Sequence, residues 1–181
     1  KGEGGMLAVL GSKVEIIEDL LSENKNNFIV QIANDNSEGQ IVLSGRISDI
    51  EKLIQVLKSK NIKNIKLPVS APFHCQLMNS ATEIMRNEIQ KLNFRDSKNK
   101  LISNVTAKEI SNKEDLKMLL IDQIENRVRW RESVVHMINN GVNHFIEIGP
   151  GKVLSGLIKR IDKNVKINTI NSESDIKDLK L

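Results

Sequence analysis

Phe28-Ile29-Val30-Gln31-Ile32-Ala33 and Gln40-Ile41-Val42-Leu43 are two β-rich runs, separated by Asn34-Asp35-Asn36-Ser37-Glu38-Gly39. Asn, Asp and Ser bond their own backbone and tolerate positive φ, and Gly adopts it freely, so this spacing predicts a hairpin whose turn spans residues 34–39. Upstream, Met6 to Leu10 is a short apolar run suited to a buried strand, and Val14 to Ser22 places Val14, Ile17, Leu20 and Leu21 at helical spacing. Downstream, Ser48 and Glu51 have the spacing of a capping box ahead of a stripe formed by Ile50, Leu53, Ile54 and Leu57. Ile62 to Val69 then reads as a strand. The resulting order, β-α-β-β-α-β, is the ferredoxin-like split pattern.

After Pro72 the pattern changes. Gln76 to Leu92 is a helical stretch carrying Leu77, Ala81, Ile84, Met85, Ile89 and Leu92; Lys113 to Ile124, Arg131 to Asn139 and Lys152 to Ile161 are further helices. Leu101 to Val105, Asn143 to Ile148 and Val165 to Ile170 read as strands, and the alternation predicts a parallel α/β sheet. Three strands form a small sheet with exposed edges, so further strands are expected from a preceding segment. The start, Lys1-Gly2-Glu3-Gly4-Gly5, lacks an initiating methionine and reads as a linker, as though cut from a longer chain.

Composition narrows the function classes. The 181 residues, 39% hydrophobic and 28% charged, suffice for a real core. One cysteine makes no internal disulfide, and the separated His74, His136 and His144 lack metal-site spacing. No apolar run reaches the roughly 20 residues of a membrane span and no signal peptide is evident, which predicts a cytoplasmic protein. The net charge of +4 and pI near 9.1 point weakly to an acidic partner. With 20 Lys against 7 Arg, 20 Asn and 24 Ile, A+T-rich coding explains much of that excess. Aromatics are 3% and Tyr is absent, which argues against nucleic-acid stacking platforms. An RNA-binding ferredoxin-like sheet would offer only Phe28.

His74, in Val69-Ser70-Ala71-Pro72-Phe73-His74-Cys75, falls where a strand gives way to a helix, the place where α/β proteins collect catalytic groups. Pro72 fixes the local backbone, and an imidazole there suits proton transfer near neutral pH. Position alone leaves His74 open between a structural histidine and a general base. Cys75 is an immediate neighbour and reads as buried and inert, because adjacent side chains rarely face each other. Gly149-Pro150-Gly151 reads as a tight strand-to-helix turn or as a phosphate cradle, though without a P-loop's length or its Lys-Ser/Thr. No serine has Gly at both the second position before it and the second after; Ser44 and Ser155 come nearest. A nucleophile serving His74 is therefore expected outside these residues.

Several separated motifs carry a resemblance. Pro72-Phe73-His74-Cys75-Gln76-Leu77-Met78, Asn104-Val105 with Lys108, Gln123, Val128-Arg129-Trp130, and the run from Glu147 to Leu157 resemble, in order and spacing, bacterial malonyl-CoA:acyl carrier protein transacylases. The likeness covers essentially the whole chain. It implies the C-terminal part of an α/β-hydrolase-like acyltransferase domain with an inserted ferredoxin-like small domain at residues 4–69, residues 70–181 belonging to the large domain. It further implies ping-pong transfer of malonyl from coenzyme A to the phosphopantetheine thiol of acyl carrier protein through a serine and a histidine. His74 matches the catalytic histidine, and Gln123 the residue whose main-chain carbonyl orients it. Asn34 and Asn36 match asparagines at the cleft mouth, and Phe73 a position linked to malonyl selection.

The family's nucleophilic serine, the arginine that pairs with the malonyl carboxylate and the oxyanion-hole glutamine match nothing in these residues. The resemblance therefore implies that this chain is inactive alone and, with its unfinished sheet, aggregation-prone. It implies no metal or organic cofactor, the coenzyme A thioester being a substrate, and a monomer when complete, with neither nucleic acid nor membrane as partner. The alternative is a non-catalytic carrier-protein-binding module or the remnant of a split or decayed gene.

Overall fold

β1 (Gly4–Leu10) is buried on both faces along nearly its whole length. In this computed structural model, which describes residues 2–179, it sits inside a four-stranded sheet with β2 (Val30–Ser37), β3 (Gln40–Arg46) and β4 (Lys63–Lys66). The strand order is β2-β3-β1-β4 and every pairing is antiparallel. Leu7 and Val9 face α1 (Val14–Glu23) and α2 (Ile47–Ser59), joining Ile17, Leu43, Ile50, Leu53 and Leu57 in a core from which water is excluded. Each such Leu or Ile contributes about 1.5–3 kcal/mol by leaving water. Met6, Ala33 and Val42 form a smaller cluster on the opposite face, with Leu67 against it. β4 is an outer strand, with Lys63, Ile65 and Lys66 exposed.

The element order of the first 70 residues is as expected, and two local readings are corrected. Residues 34–37 are strand, not turn: β2 runs through Asn34-Asp35-Asn36 to Ser37, with register shifts between Ile32 and Asn34 and between Asp35 and Ser37. These irregularities absorb the turn-forming residues within the ladder and leave Glu38-Gly39 to reverse the chain. Ser48 does not cap α2. β3 passes straight into the helix, Arg46 is the boundary residue, and the Ile47 amide bonds the Glu3 carbonyl at 2.9 Å. A carbonyl just ahead of β1 replaces the local cap.

A 3-10 turn (Gln76–Met78) leads into α3 (Asn79–Gln90), followed by β5 (Leu101–Ile102), β6 (Glu109–Ile110) and α4 (Lys113–Asp122). β5 pairs antiparallel with β6, so Leu101 to Val105 is not a third parallel strand. Asn112 caps α4 by accepting from the Asp115 amide at 2.8 Å.

The chain forms two compact units, the first reaching Ser133 and the second starting at Val134. α5 (Trp130–Asn139) begins in the first. In the second, β7 (His144–Ile148) and β8 (Lys166–Ile170) pair in parallel on either side of α6 (Val153–Ile161), a βαβ unit. α7 (Glu173–Asp178), absent from the sequence reading, starts at a capping box in which Ser172 and Asp175 satisfy each other's amides.

Candidate active site

His74 is held in a backbone conformation that side chains avoid. Its φ is +60°, and the chain reaches it through Pro72, whose ring packs over Gly4 so closely that a Cβ on Gly4 would lie 2.4 Å from the Pro72 Cγ and Cδ. The half-buried imidazole places Nδ1 2.7 Å from the main-chain carbonyl of Gln123. A carbonyl only accepts, so the bond requires the proton on Nδ1 and, in the neutral ring, puts the lone pair on Nε2. Gln123 closes α4, its amide bonding the Leu119 carbonyl at 3.1 Å, and its side-chain oxygen accepts from Asn104 Nδ2 at 3.3 Å. A cavity of about 240 Å³ opens beside Gln123 and Asn104, lined by apolar side chains that include Leu101, Leu116 and Leu120.

Phe73 is 44% exposed immediately before the histidine. Cys75 is buried, as expected, its thiol donating to the Pro72 carbonyl at 3.2 Å. The Gln76 amide bonds Gln31 Oε1 at 2.8 Å, which ties the histidine turn to β2. Asn34 and Asn36 also lie on β2; among the described residues, neither side chain hydrogen-bonds to His74 or Gln123. His74 and Gln123 are thus brought together, while the two asparagines are placed by the strand alone.

Between Asn34 and Asn36, Asp35 is 1% exposed. Arg131 meets its carboxylate through Nε at 3.0 and 3.1 Å and Nη2 at 2.8 Å, and Arg127 through Nη2 at 3.0 Å. The bonds that Arg131 donates to Asp35 hold its guanidinium above its ordinary pKa, against burial that lowers it. Composition could not reveal this cluster: its members are 92 and 96 residues apart, and Asp35 sits in a stretch that reads as a turn.

The Gly149-Pro150-Gly151 turn is filled by the chain itself. Glu147 of β7 accepts from the Leu154 and Ser155 amides at 3.0 and 2.7 Å at the start of α6, and the Gly151 amide bonds Asn171 Oδ1 at 2.7 Å. Burial would raise the Glu147 pKa, but the bonds from Ser155 and from the Leu154 amide outweigh it and hold the carboxyl below the usual range. An internal carboxylate therefore takes the place a phosphate would need. His144 Nε2 lies 2.8 Å from Asn168 Oδ1 across β7 and β8, and His136 Nε2, on α5, is buried with no hydrogen-bond partner among the described residues.

Residues 1–178 match the acyl transferase domain model. The chain belongs to that family. Among its curated relatives, the malonyl CoA-acyl carrier protein transacylase of Bacillus subtilis is 40% identical over 179 residues, covering 97% of this chain and 56% of the relative. The crystal structure of an acyl-carrier-protein-S-malonyltransferase from Bartonella henselae superposes with a TM-score of 0.92 at 39% identity, covering 98% of this chain and 57% of that one. A malonyl-transacylase solved in complex with its type II PKS acyl-carrier protein gives 0.91 at 31% identity, with 98% and 58% covered. This acyl transferase chain thus spans little more than half the length of the relatives it matches. Among its described residues, no helix is long and apolar enough to cross a membrane.

Proposed function

We propose that this chain is the histidine-bearing portion of a malonyl-CoA:acyl carrier protein transacylase of type II fatty acid synthesis, with His74 as its general base. The observation that carries the reading is the 2.7 Å contact between His74 Nδ1 and the Gln123 carbonyl, because it supplies the tautomer that such a base requires. Nε2 takes the proton from a serine hydroxyl of a segment outside these 181 residues, and the serine oxygen attacks the malonyl thioester carbonyl. As the C–S bond breaks, the imidazolium returns the proton to the coenzyme A thiolate. In the second half-reaction Nε2 takes the proton of the phosphopantetheine thiol, whose sulfur attacks the malonyl carbonyl; as the C–O bond breaks, the imidazolium returns that proton to the serine oxygen and malonyl leaves on the sulfur. Imidazole and hydroxyl suffice, so no metal or organic cofactor enters.

In this reading residues 4–69 form the inserted small domain, supported by the strand order β2-β3-β1-β4, and residues 70–181 belong to the large one. Asn34 and Asn36 line the cleft mouth, Phe73 restricts bulk at the α-carbon of the acyl group, and the basic excess steers an acidic carrier protein. The working protein is a cytoplasmic monomer, and the chain alone forms no acyl-enzyme.

Co-expression with the portion of the Bacillus subtilis relative that this chain does not span tests the proposal. Malonyl transfer to acyl carrier protein should return, and should vanish again with His74→Ala. Carrier binding without transfer in a folded complex would instead make the chain a binding module.

A further inference from the structure

The Asp35 cluster lies outside the chemistry just described, yet a continuous set of hydrogen bonds joins it to His74. A carboxylate this buried is tolerable only when fully compensated, and Asp35 receives two guanidinium groups. Arg127 is held in turn by Glu18 at 2.7 Å, and Arg129 by Glu132 at 2.9 Å. Lys13, Glu15 and Glu38 line the 280 Å³ cavity beside Asp35 and Arg131.

Between the two arginines the backbone is laid along β2: the Val128 amide donates to the Ala33 carbonyl at 2.7 Å, and the Asp35 amide to the Val128 carbonyl at 2.9 Å. The Arg129 amide then bonds the Asn104 carbonyl at 2.8 Å, and Asn104 reaches Gln123. Residues 126–131 are therefore a strap, pinned to β2 by main-chain bonds and by the ion cluster, whose near end is the turn carrying the Gln123 carbonyl. The two backbone bonds to β2 do not by themselves distinguish one register along an edge strand from the next equivalent one. The bidentate fork on Asp35 admits one position.

We propose that Asp35 is a positioning residue: by gripping Arg127 and Arg131 it fixes the strap, and with it the Gln123 carbonyl that sets the tautomer of His74. The importance of this role rests on the reading of His74 as a base, but its test does not. Imidazole ¹⁵N shifts recorded on the 181-residue chain should show His74 in the Nδ1–H form, with His144, hydrogen-bonded in the second unit, as an internal control.

In Asp35→Asn the ratio of Nδ1–H to Nε2–H at His74 should fall about tenfold, roughly what the net free energy of one hydrogen bond supplies, while His144 is unmoved. A folded Asp35→Asn chain with the His74 ratio unchanged would overturn the proposal. If that variant does not fold, Arg131→Lys keeps the charge and loses the fork. The same shift, smaller, is expected there, and no shift in that variant overturns the proposal equally. In the co-expressed enzyme Asp35→Asn should lower kcat and leave the malonyl-CoA KM in place. Failure of co-expression to restore transfer would count against the base reading and leave the tautomer result standing.

Discussion

The Nδ1 of His74 and the carbonyl of Gln123 stand 2.7 Å apart, a bond between one side chain and one main chain across 49 residues of sequence. What orients the imidazole is thus a peptide group, which substitution at position 123 leaves in place. In the co-expressed enzyme Gln123→Ala should keep transfer within about threefold of the parent, because it loses only a long, neutral side-chain bond to Asn104. His74→Ala should cost about 10²–10⁴ in kcat, the usual worth of a positioned base. A Gln123→Ala loss as large as that of His74→Ala would show that the side chain, not the carbonyl, does the orienting.

The positive φ of His74 has a measurable cost. Replacement by glycine, which adopts this conformation without strain, should leave the chain more stable to urea than replacement by alanine, by about 1 kcal/mol. The two variants lose the same imidazole, so their difference isolates the backbone. Equal midpoints would mean that the surrounding turn relaxes.

Gly4 and Pro72 are in contact through a space that admits no side chain, and proline cannot rotate away. Gly4→Ala should therefore destabilise by about 1–3 kcal/mol, as overpacking does. It should also broaden the His74 resonances, since the displaced ring lies two residues from the imidazole. Gly156→Ala is the control: it faces open space within α6 and should stabilise by about 0.5–1 kcal/mol through helix propensity.

Glu147 provides a pH dependence of known sign. Its carboxyl is held below the ordinary value of 4.5, so the unfolded chain takes up that proton first, and the stabilisation it gives is present above 4.5 and lost as pH falls through the folded value. Parent and Glu147→Gln should differ in melting temperature at neutral pH and converge in acid. A constant gap from neutral to strongly acidic pH would dispose of the linkage.

Where the fold was legible, hydrophobic period decided it. Val14, Ile17 and Leu20, and Ile50, Leu53 and Leu57, are the buried stripes of α1 and α2, and burial of those faces is what holds the helices. The turn propensity of Asn34-Asp35-Asn36 does not decide their structure, because it describes a chain in water. Here the main-chain groups of Asp35 and Val128 pair and two distant arginines neutralise the carboxylate, so tertiary partners reverse the local preference. Ser48 failed as a cap for the same kind of reason, Glu3 having supplied the acceptor for Ile47. His74 could be singled out by its place before a helix, but its partner is a carbonyl. Every residue owns one, so no residue type marks it, and only the family resemblance pointed to Gln123.

β4 is an outer strand of its sheet and presents Ile65 to water between Lys63 and Lys66. Exposed edges of this kind recruit one another, and here the recruiting side chain is bracketed by like charges that two approaching copies would have to bring together. The protection is electrostatic and therefore only as long-ranged as the solvent allows. At about 1 M salt, where screening shrinks to roughly 3 Å, the lysines stop repelling at a distance while Ile65 stays as apolar as before. Purification in strong salt, usually chosen to keep a basic protein apart from its contaminants, would remove the guard on this edge.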